Sequence, residues 1–298
     1  MLMDVNPYVS FAKGRRRFDT VAAPRGRSGQ EATALDQASS TAGIWADRPR
    51  QPLGRLSAVV HGSGPALLLI HGVGLRAEAW GAQIDALAPR FQVTAVDMPG
   101  HGHSPLGDAP GLRACTDAIA AGLAGPSVVA GHSMGAMIAL DLASRHPDLV
   151  RGVAALNAIY RRDPVAANAV RARARALDRA DPDPRPTLQR WFGAGPSPCR
   201  AACQRWLTGV DRGAYAAAYR IFAAEDGPSD TALSALACPA LFVTGGDEPN
   251  STPAMSRRMA ALAPRGRAVI VDGAAHMMPM THPDPVNAAL AAFAAGCQ

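Results

Sequence analysis

Short apolar runs and amphipathic segments alternate along the chain from residue 55 onward. The apolar runs have the length of buried strands, and the segments between them carry apolar residues at helical spacing. Because the strand-like runs are apolar throughout, they predict an α/β fold with a mostly parallel sheet covered by helices on both faces. The predicted strands are 55–61, 66–71, 91–97, 127–131, 149–156, 239–244 and 267–271, and the predicted helices are 77–88, 112–124, 134–145, 253–262 and 285–295.

This alternation is interrupted once. Residues 157–236 are rich in Arg, Ala and Pro and carry no strand signal. They predict an inserted helical cap, with the core formed by residues 55–156 and 237–298. Residues 1–54 show little hydrophobic periodicity, so we expect a poorly ordered basic extension without a catalytic role.

Composition excludes several classes of protein. Of the 298 residues, 48% are hydrophobic, which is too many for a mainly disordered chain. No uninterrupted apolar run is long enough for a transmembrane helix, so we expect no membrane partner. The net charge is +6, but nine basic and five acidic residues within 1–55 supply most of it. The charge is therefore weak evidence for nucleic-acid binding.

The five cysteines include no CxxC pair, and the sequence predicts no metal site and no cofactor. The chain begins without a basic segment followed by a long apolar core, so we expect no signal peptide. We accordingly predict a cytoplasmic protein with reduced thiols.

The strongest chemical signal is a GxSxG pattern around Ser133. Gly131 and Gly135 flank it, an apolar strand precedes it, and an amphipathic helix follows it. This context is that of a nucleophile elbow, in which a tight turn exposes the serine hydroxyl at the carboxyl end of the sheet. The backbone N–H of Met134, at the start of the helix, can then face a developing oxyanion.

From about residue 55 to its end, the chain resembles the α/β-hydrolase fold superfamily. The resemblance rests on residues 69–74, 97–104, 131–135 and 273–276, which occur in the order and rough spacing of that superfamily. Residues 190–192 and 215–226 are similar to caps of enol-lactonase-like hydrolases. The segment 71–80 is similar instead to bacterial carboxylesterases acting on pimeloyl thioester-carrier methyl esters.

A serine nucleophile needs a base and an orienting acid, which the superfamily supplies in the chain order Ser, acid, His. His276 follows the last predicted strand and is the expected base, with His282 as a rival. Two candidates for the acid remain open. The superfamily's spacing after Gly245 favours Glu248. Asp247 is the alternative, because the acid in most members of the superfamily is an aspartate.

The resemblance also places an oxyanion hole in the loop after His71, with Val73 N–H as the second donor beside Met134 N–H. Four residues are candidates for the substrate pocket: His132, Trp80, Trp191 and Tyr219. Trp80 fits core packing better than ligand contact, and Arg161 and Arg162 fit solvated charges better than a carboxylate site.

We therefore expect a serine hydrolase that cleaves a carboxylic ester or lactone of small size through an acyl-enzyme on Ser133. A carbon–carbon bond hydrolase or a cofactor-free perhydrolase with the same triad is an alternative. A non-catalytic accessory member of the fold is another. The sequence gives no indication of the oligomeric state.

Overall fold

The computed structural model describes residues 43–107, 111–179 and 183–298. Its centre is a sheet with the strand order β1-β2-β4-β3-β5-β6-β7-β8, in which β1, β2 and β4 pair antiparallel and all later pairs are parallel. The strands are β1 Gln51–Leu53, β2 Leu56–His61, β3 Ala66–Ile70, β4 Gln92–Val96, β5 Ser127–His132, β6 Val150–Leu156, β7 Ala240–Gly245 and β8 Gly266–Val271. The predicted α/β-hydrolase architecture is confirmed.

The α-helices lie between these strands or, in the case of the last two, after them in the chain. They are α1 Gly81–Leu87, α2 Leu112–Ala120, α3 Met134–Arg145, α4 Pro164–Ala176, α5 Arg185–Phe192, α6 Pro198–Gly209, α7 Arg212–Ala224, α8 Asp230–Ser234, α9 Pro253–Leu262, α10 Met278–Thr281 and α11 Pro283–Ala295. None of the helices within the described ranges is long and apolar enough to cross a bilayer.

Two hydrophobic layers cover the two faces of the sheet. Leu68 and Ile70 of β3 belong to one layer, whereas Leu67 and Leu69 belong to the other. Successive strand side chains point to opposite faces, so a strand buried on both sides must be apolar at every position. This explains the unbroken apolar runs in the sequence.

Helices α4 to α8 stand between β6 and β7, in the segment predicted to form an inserted cap. Short polar side chains at their starts accept backbone N–H groups: Asp163 at α4, Ser197 at α6, Asp211 at α7 and Ser229 at α8. Such caps satisfy N–H groups that have no partner inside the helix. They explain why a segment without a regular hydrophobic pattern still forms several separate helices.

The expectation of a poorly ordered segment 1–54 is wrong for residues 43–54. Trp45 is 2% exposed, and β1 pairs with β2 through the register Gln51↔Ala58. Arg50 forms ion pairs with the buried carboxylates Glu78 and Asp97. The prediction failed because these stabilising contacts are made with distant residues and leave no local periodicity. Residues 1–42 lie outside the described part of the chain.

The predicted helix 77–88 is divided into a 3₁₀ turn, Ala77–Trp80, and α1. The division falls at Gly81, where a Cβ atom would lie 2.1 Å from the carbonyl oxygen of Ile44. The N-terminal segment therefore packs directly on the junction, which only glycine can occupy.

Candidate active site

Ser133 lies in a sharp turn between β5 and α3. Its φ of 57° and ψ of −117° are rarely adopted by a residue with a side chain. A Cβ on Gly131 would lie 2.0 Å from the carbonyl oxygen of Gly135, and a Cβ on Gly135 would lie 2.1 Å from that of Ile70. The Ser133 N–H donates to the Leu156 carbonyl at 2.9 Å. The two glycines thus allow the turn, and the sheet holds the serine in it.

Glu248 is the carboxylate that contacts His276. Its Oε2 lies 2.9 Å from His276 Nδ1, while its Oε1 accepts the N–H groups of Asn250 at 2.8 Å and Ser251 at 3.3 Å. Burial raises the pKa of Glu248, but these hydrogen bonds and the charge of His276 outweigh it and lower the pKa to about 2. Asp247 is exposed, and its backbone N–H donates to the Ala274 carbonyl at 2.9 Å. The geometry places Glu248, not Asp247, beside the imidazole.

The backbone of His276 is held by two side chains. His132 Nε2 and Asn157 Nδ2 each lie 2.7 Å from the His276 carbonyl oxygen. Asn157 Oδ1 also accepts the N–H of Gly245 at 3.2 Å, so this amide joins the ends of two strands. Asn157 is buried and has a φ of 48°. Sequence reasoning missed it; an Asn directly after an apolar strand was the available signal.

Two buried histidines fix the loop that follows β3. His71 Nδ1 donates to the Gly72 carbonyl at 2.8 Å, and His71 Nε2 accepts the Met98 N–H at 3.0 Å. His101 Nε2 accepts the N–H of Gly74 at 3.0 Å. Burial lowers the pKa of His71 to about 3 and also lowers that of His101, which keeps both rings neutral as these bonds require.

The same loop approaches the serine. A Cβ on Gly72 would lie 3.1 Å from Ser133 Cβ, and Val73 lines the cavity in which Ser133 and His276 are found. Met134 is the first residue of α3, where helical N–H groups have no intrahelical acceptor. Both predicted oxyanion donors therefore adjoin the serine. Ser133 Oγ and His276, both within the described residues, form no hydrogen bond with each other. Hydrogen bonds between catalytic groups often shorten only when the substrate is bound.

The other predicted pocket residues divide into two groups. His132, Trp191 and Tyr219 line the cavity, and the Trp191 ring stacks on His276 with centroids 5.7 Å apart at 19°. Trp80 does not line it: this side chain is 1% exposed in the core and meets His132 edge-on. The pocket assignment of Trp80 is therefore wrong, because the 3₁₀ turn that carries it packs the indole into the hydrophobic layer on the sheet. The rival base His282 directly precedes α11, and its Nδ1 lies 2.9 Å from Thr281 Oγ1.

Three arginines from the helical insertion line the cavity: Arg162, Arg173 and Arg190. The Arg162 side chain is only 4% exposed; its guanidinium donates to the carbonyls of Phe222 and Glu225 and lies over the Phe222 ring. Among the described residues lining this cavity, Glu248 alone is acidic. The sequence-based view of Arg162 as a solvated charge is wrong. Arg162 Nη1 lies 3.6 Å from Asp226 Oδ1, so Arg173 and Arg190 supply the excess of positive charge in the cavity.

A family model described as "Alpha/beta hydrolase family" matches residues 67–289. The chain belongs to the α/β-hydrolase family. It is 40% identical over 240 residues, 78% of this chain and 91% of the relative, to the (E)-2-((N-methylformamido)methylene)succinate hydrolase of Acinetobacter baylyi. These findings show an enzyme with hydrolase activity.

Two further likenesses are to an esterase and to an enol-lactonase. A pimeloyl-[acyl-carrier protein] methyl ester esterase of Methylococcus capsulatus is 38% identical over 95 residues, which are 32% of this chain and 37% of that relative. The solved enol-lactonase of Burkholderia xenovorans LB400 superposes with a TM-score of 0.70 at 24% identity, covering 82% of this chain and 99% of that one. The expected membership of the α/β-hydrolase superfamily is confirmed.

Proposed function

We propose that this α/β-hydrolase is a serine hydrolase that cleaves a carboxylic ester or lactone through an acyl-enzyme on Ser133. One observation carries the proposal: the strained Ser133 lines the same cavity as His276, whose Nδ1 is bonded to the buried Glu248. Because the carboxylate engages Nδ1, the neutral imidazole keeps its proton there and leaves Nε2 as the basic nitrogen.

The residues then act in a defined order. Ser133 Oγ attacks the carbonyl carbon while His276 Nε2 takes its proton, and Glu248 stabilises the resulting imidazolium. The N–H groups of Val73 and Met134 stabilise the oxyanion of the tetrahedral intermediate. His276 returns the proton to the leaving alcohol, and water activated by the same imidazole hydrolyses the acyl-enzyme.

Covalent labelling tests the nucleophile. A fluorophosphonate is expected to modify the intact protein once, on the peptide that contains Ser133, because only an activated serine displaces its fluoride at a useful rate. Mass spectrometry of the digest locates the adduct. Ser133→Ala should abolish labelling, whereas Ser63→Ala, at an exposed turn residue, should leave it unchanged. An unlabelled wild type would favour a non-catalytic member of the fold.

The charge of the cavity supports a substrate with two carboxylates. Arg173 and Arg190 are presented from the helical insertion, and arginine is suited to bidentate carboxylate binding. The relative from Acinetobacter baylyi acts, by its name, on a succinate derivative. We infer that the natural substrate of this chain is also a small dicarboxylate. Carbon–carbon cleavage and perhydrolysis on the same residues remain alternative predictions.

Removing single cavity charges is expected to weaken binding of anionic substrates selectively. Arg173→Gln and Arg190→Gln should each raise KM for p-nitrophenyl hemisuccinate about tenfold, the loss of roughly one charge-assisted hydrogen bond. KM for neutral p-nitrophenyl acetate should stay the same. Arg175→Gln, an exposed α4 residue outside the cavity lining, is the matched control. An equal change in KM for both esters would contradict the dicarboxylate proposal.

A further inference from the structure

We propose that residues 44–53, the N-terminal strap, brace the loop that carries Val73, and that Arg50 is the positioning residue of this brace. The inference rests on the oxyanion role proposed above for Val73. It gives a part in catalysis to a segment whose sequence suggested a dispensable extension.

Arg50 binds two buried carboxylates at once. Its Nη1 and Nη2 lie 2.6 and 2.8 Å from Glu78 Oε1 and Oε2, and its Nε lies 3.1 Å from Asp97 Oδ2. The side chains of Glu78 and Asp97 are 0% exposed, and that of Arg50 is 13% exposed. Burial would raise the pKa of Glu78, but the bonds from Arg50 and the Arg48 N–H outweigh it and lower the pKa to about 2. The strap therefore supplies a positive charge to carboxylates that the core cannot hold unpaired.

The same two carboxylates hold the far end of the loop after β3. Asp97 Oδ1 accepts the N–H of Ala77 at 2.8 Å, and Glu78 Oε2 accepts Arg76 Nε at 2.8 Å. Asp97 Oδ2, the oxygen that Arg50 contacts, also accepts the N–H of His103 at 2.9 Å. Arg50 thus fixes the acceptors on which the loop depends.

The strap also packs on this loop through apolar contacts. Trp45 and Leu75 are both 2% exposed and belong to one hydrophobic cluster, with Ala79 of the 3₁₀ turn beside them. Leu75 is two residues from Val73, and the Leu75 N–H donates to the Gly72 carbonyl at 3.2 Å. Displacement of the strap would therefore be transmitted over a short stretch of chain to the Val73 amide.

The geometry explains why the strap should affect turnover more than binding. An oxyanion donor is useful only where charge develops in the transition state, so a small shift of Val73 N–H lowers kcat and leaves ground-state affinity nearly unchanged. Glu78 and Asp97 bond to the loop through Arg76 and Ala77, and neither is among the cavity-lining residues. Arg50 accordingly acts through the loop and does not touch substrate.

Arg50→Gln tests the brace, with Arg55→Gln as the matched control. Arg55 is exposed and lies outside the strap. With p-nitrophenyl acetate, Arg50→Gln should lower kcat about tenfold and change KM less than about twofold, while Arg55→Gln changes neither.

The affinity for an aryl trifluoromethyl ketone reports on the oxyanion hole, and a lower free energy of unfolding alone would not change it. Ser133 Oγ adds to the ketone carbon, the proton passes to His276, and the carbonyl oxygen becomes an oxyanion held by Val73 and Met134. This affinity should fall in Arg50→Gln by the same factor as kcat/KM. If Arg50→Gln does not fold, Arg50→Lys replaces it, since lysine keeps the charge but cannot bind Glu78 and Asp97 together; a smaller loss in kcat and in ketone affinity is then expected.

Unchanged kcat and ketone affinity in the folded variant would overturn the brace. A wild-type enzyme that neither turns over esters nor binds the ketone would instead overturn the proposed serine mechanism. The two failures are therefore distinguishable in the same experiment.

Discussion

Glu248→Gln is expected to lower kcat by about 10⁴-fold while KM changes little. An amide in place of the carboxylate presents no charge to the imidazolium, and its NH₂ group favours the tautomer of His276 with its proton on Nε2. That tautomer cannot accept the proton of Ser133. The fold should survive because Gln retains an oxygen for the N–H groups of Asn250 and Ser251.

Steady-state kinetics on p-nitrophenyl esters measures this loss, and Asp247→Asn is the matched control. Asp247 is exposed and carries no bond to His276, so its variant should keep wild-type kcat. A large loss in Asp247→Asn together with an active Glu248→Gln would reassign the acid. It would also require the loop after β7 to rearrange when substrate binds.

Asn157→Gly is expected to lower kcat about 100-fold, the order of effect of displacing a catalytic group by about 1 Å. Glycine tolerates the φ of 48°, so the substitution removes the side chain without adding backbone strain. The His276 carbonyl then loses one of its two donors, and the Gly245 N–H loses its acceptor. The imidazole should remain bonded to Glu248 but lose its fixed position relative to Ser133.

Asn157→Asp separates the two bonds of this amide, because the carboxylate still accepts from Gly245 but cannot donate to His276. Measured by kcat on the same esters, both variants should be impaired, with fluorophosphonate labelling slowed in parallel. Wild-type kcat in Asn157→Gly would show that His132 alone is sufficient to place His276.

Most of the sheet could be predicted from the sequence because its central strands are buried on both faces. Their apolar runs and the helices between them gave the order of elements, and α3 and α9 begin and end where predicted. Ser133 and His276 were found because short motifs place them at strand ends. Glu248 followed from counting beyond Gly245, the residue that ends β7.

The missed residues depend on contacts across the chain. Asn157 and the His276 carbonyl are 119 residues apart, and Arg50 reaches Asp97 over 47 residues. A polar residue of this kind has the same local sequence signal as a solvated one, and only its partners decide its role. The prediction of a solvated Arg162 failed for the same reason. Its guanidinium is buried against the ring of Phe222, which belongs to the distant helix α7.

The two neutral histidines beside the oxyanion loop have a consequence for the response of the enzyme to acid. In the unfolded chain an imidazole titrates near pH 6.5, whereas the pKa of His71 in the folded protein is about 3 and that of His101 is also lowered. Unfolding therefore takes up protons, so the contribution of these rings to stability is complete above about pH 6.5 and declines as the pH falls toward their folded pKa values. Over much of that range Glu248, with a pKa of about 2, is still ionised. Acid thus weakens the scaffold of the oxyanion hole before it discharges the carboxylate beside His276.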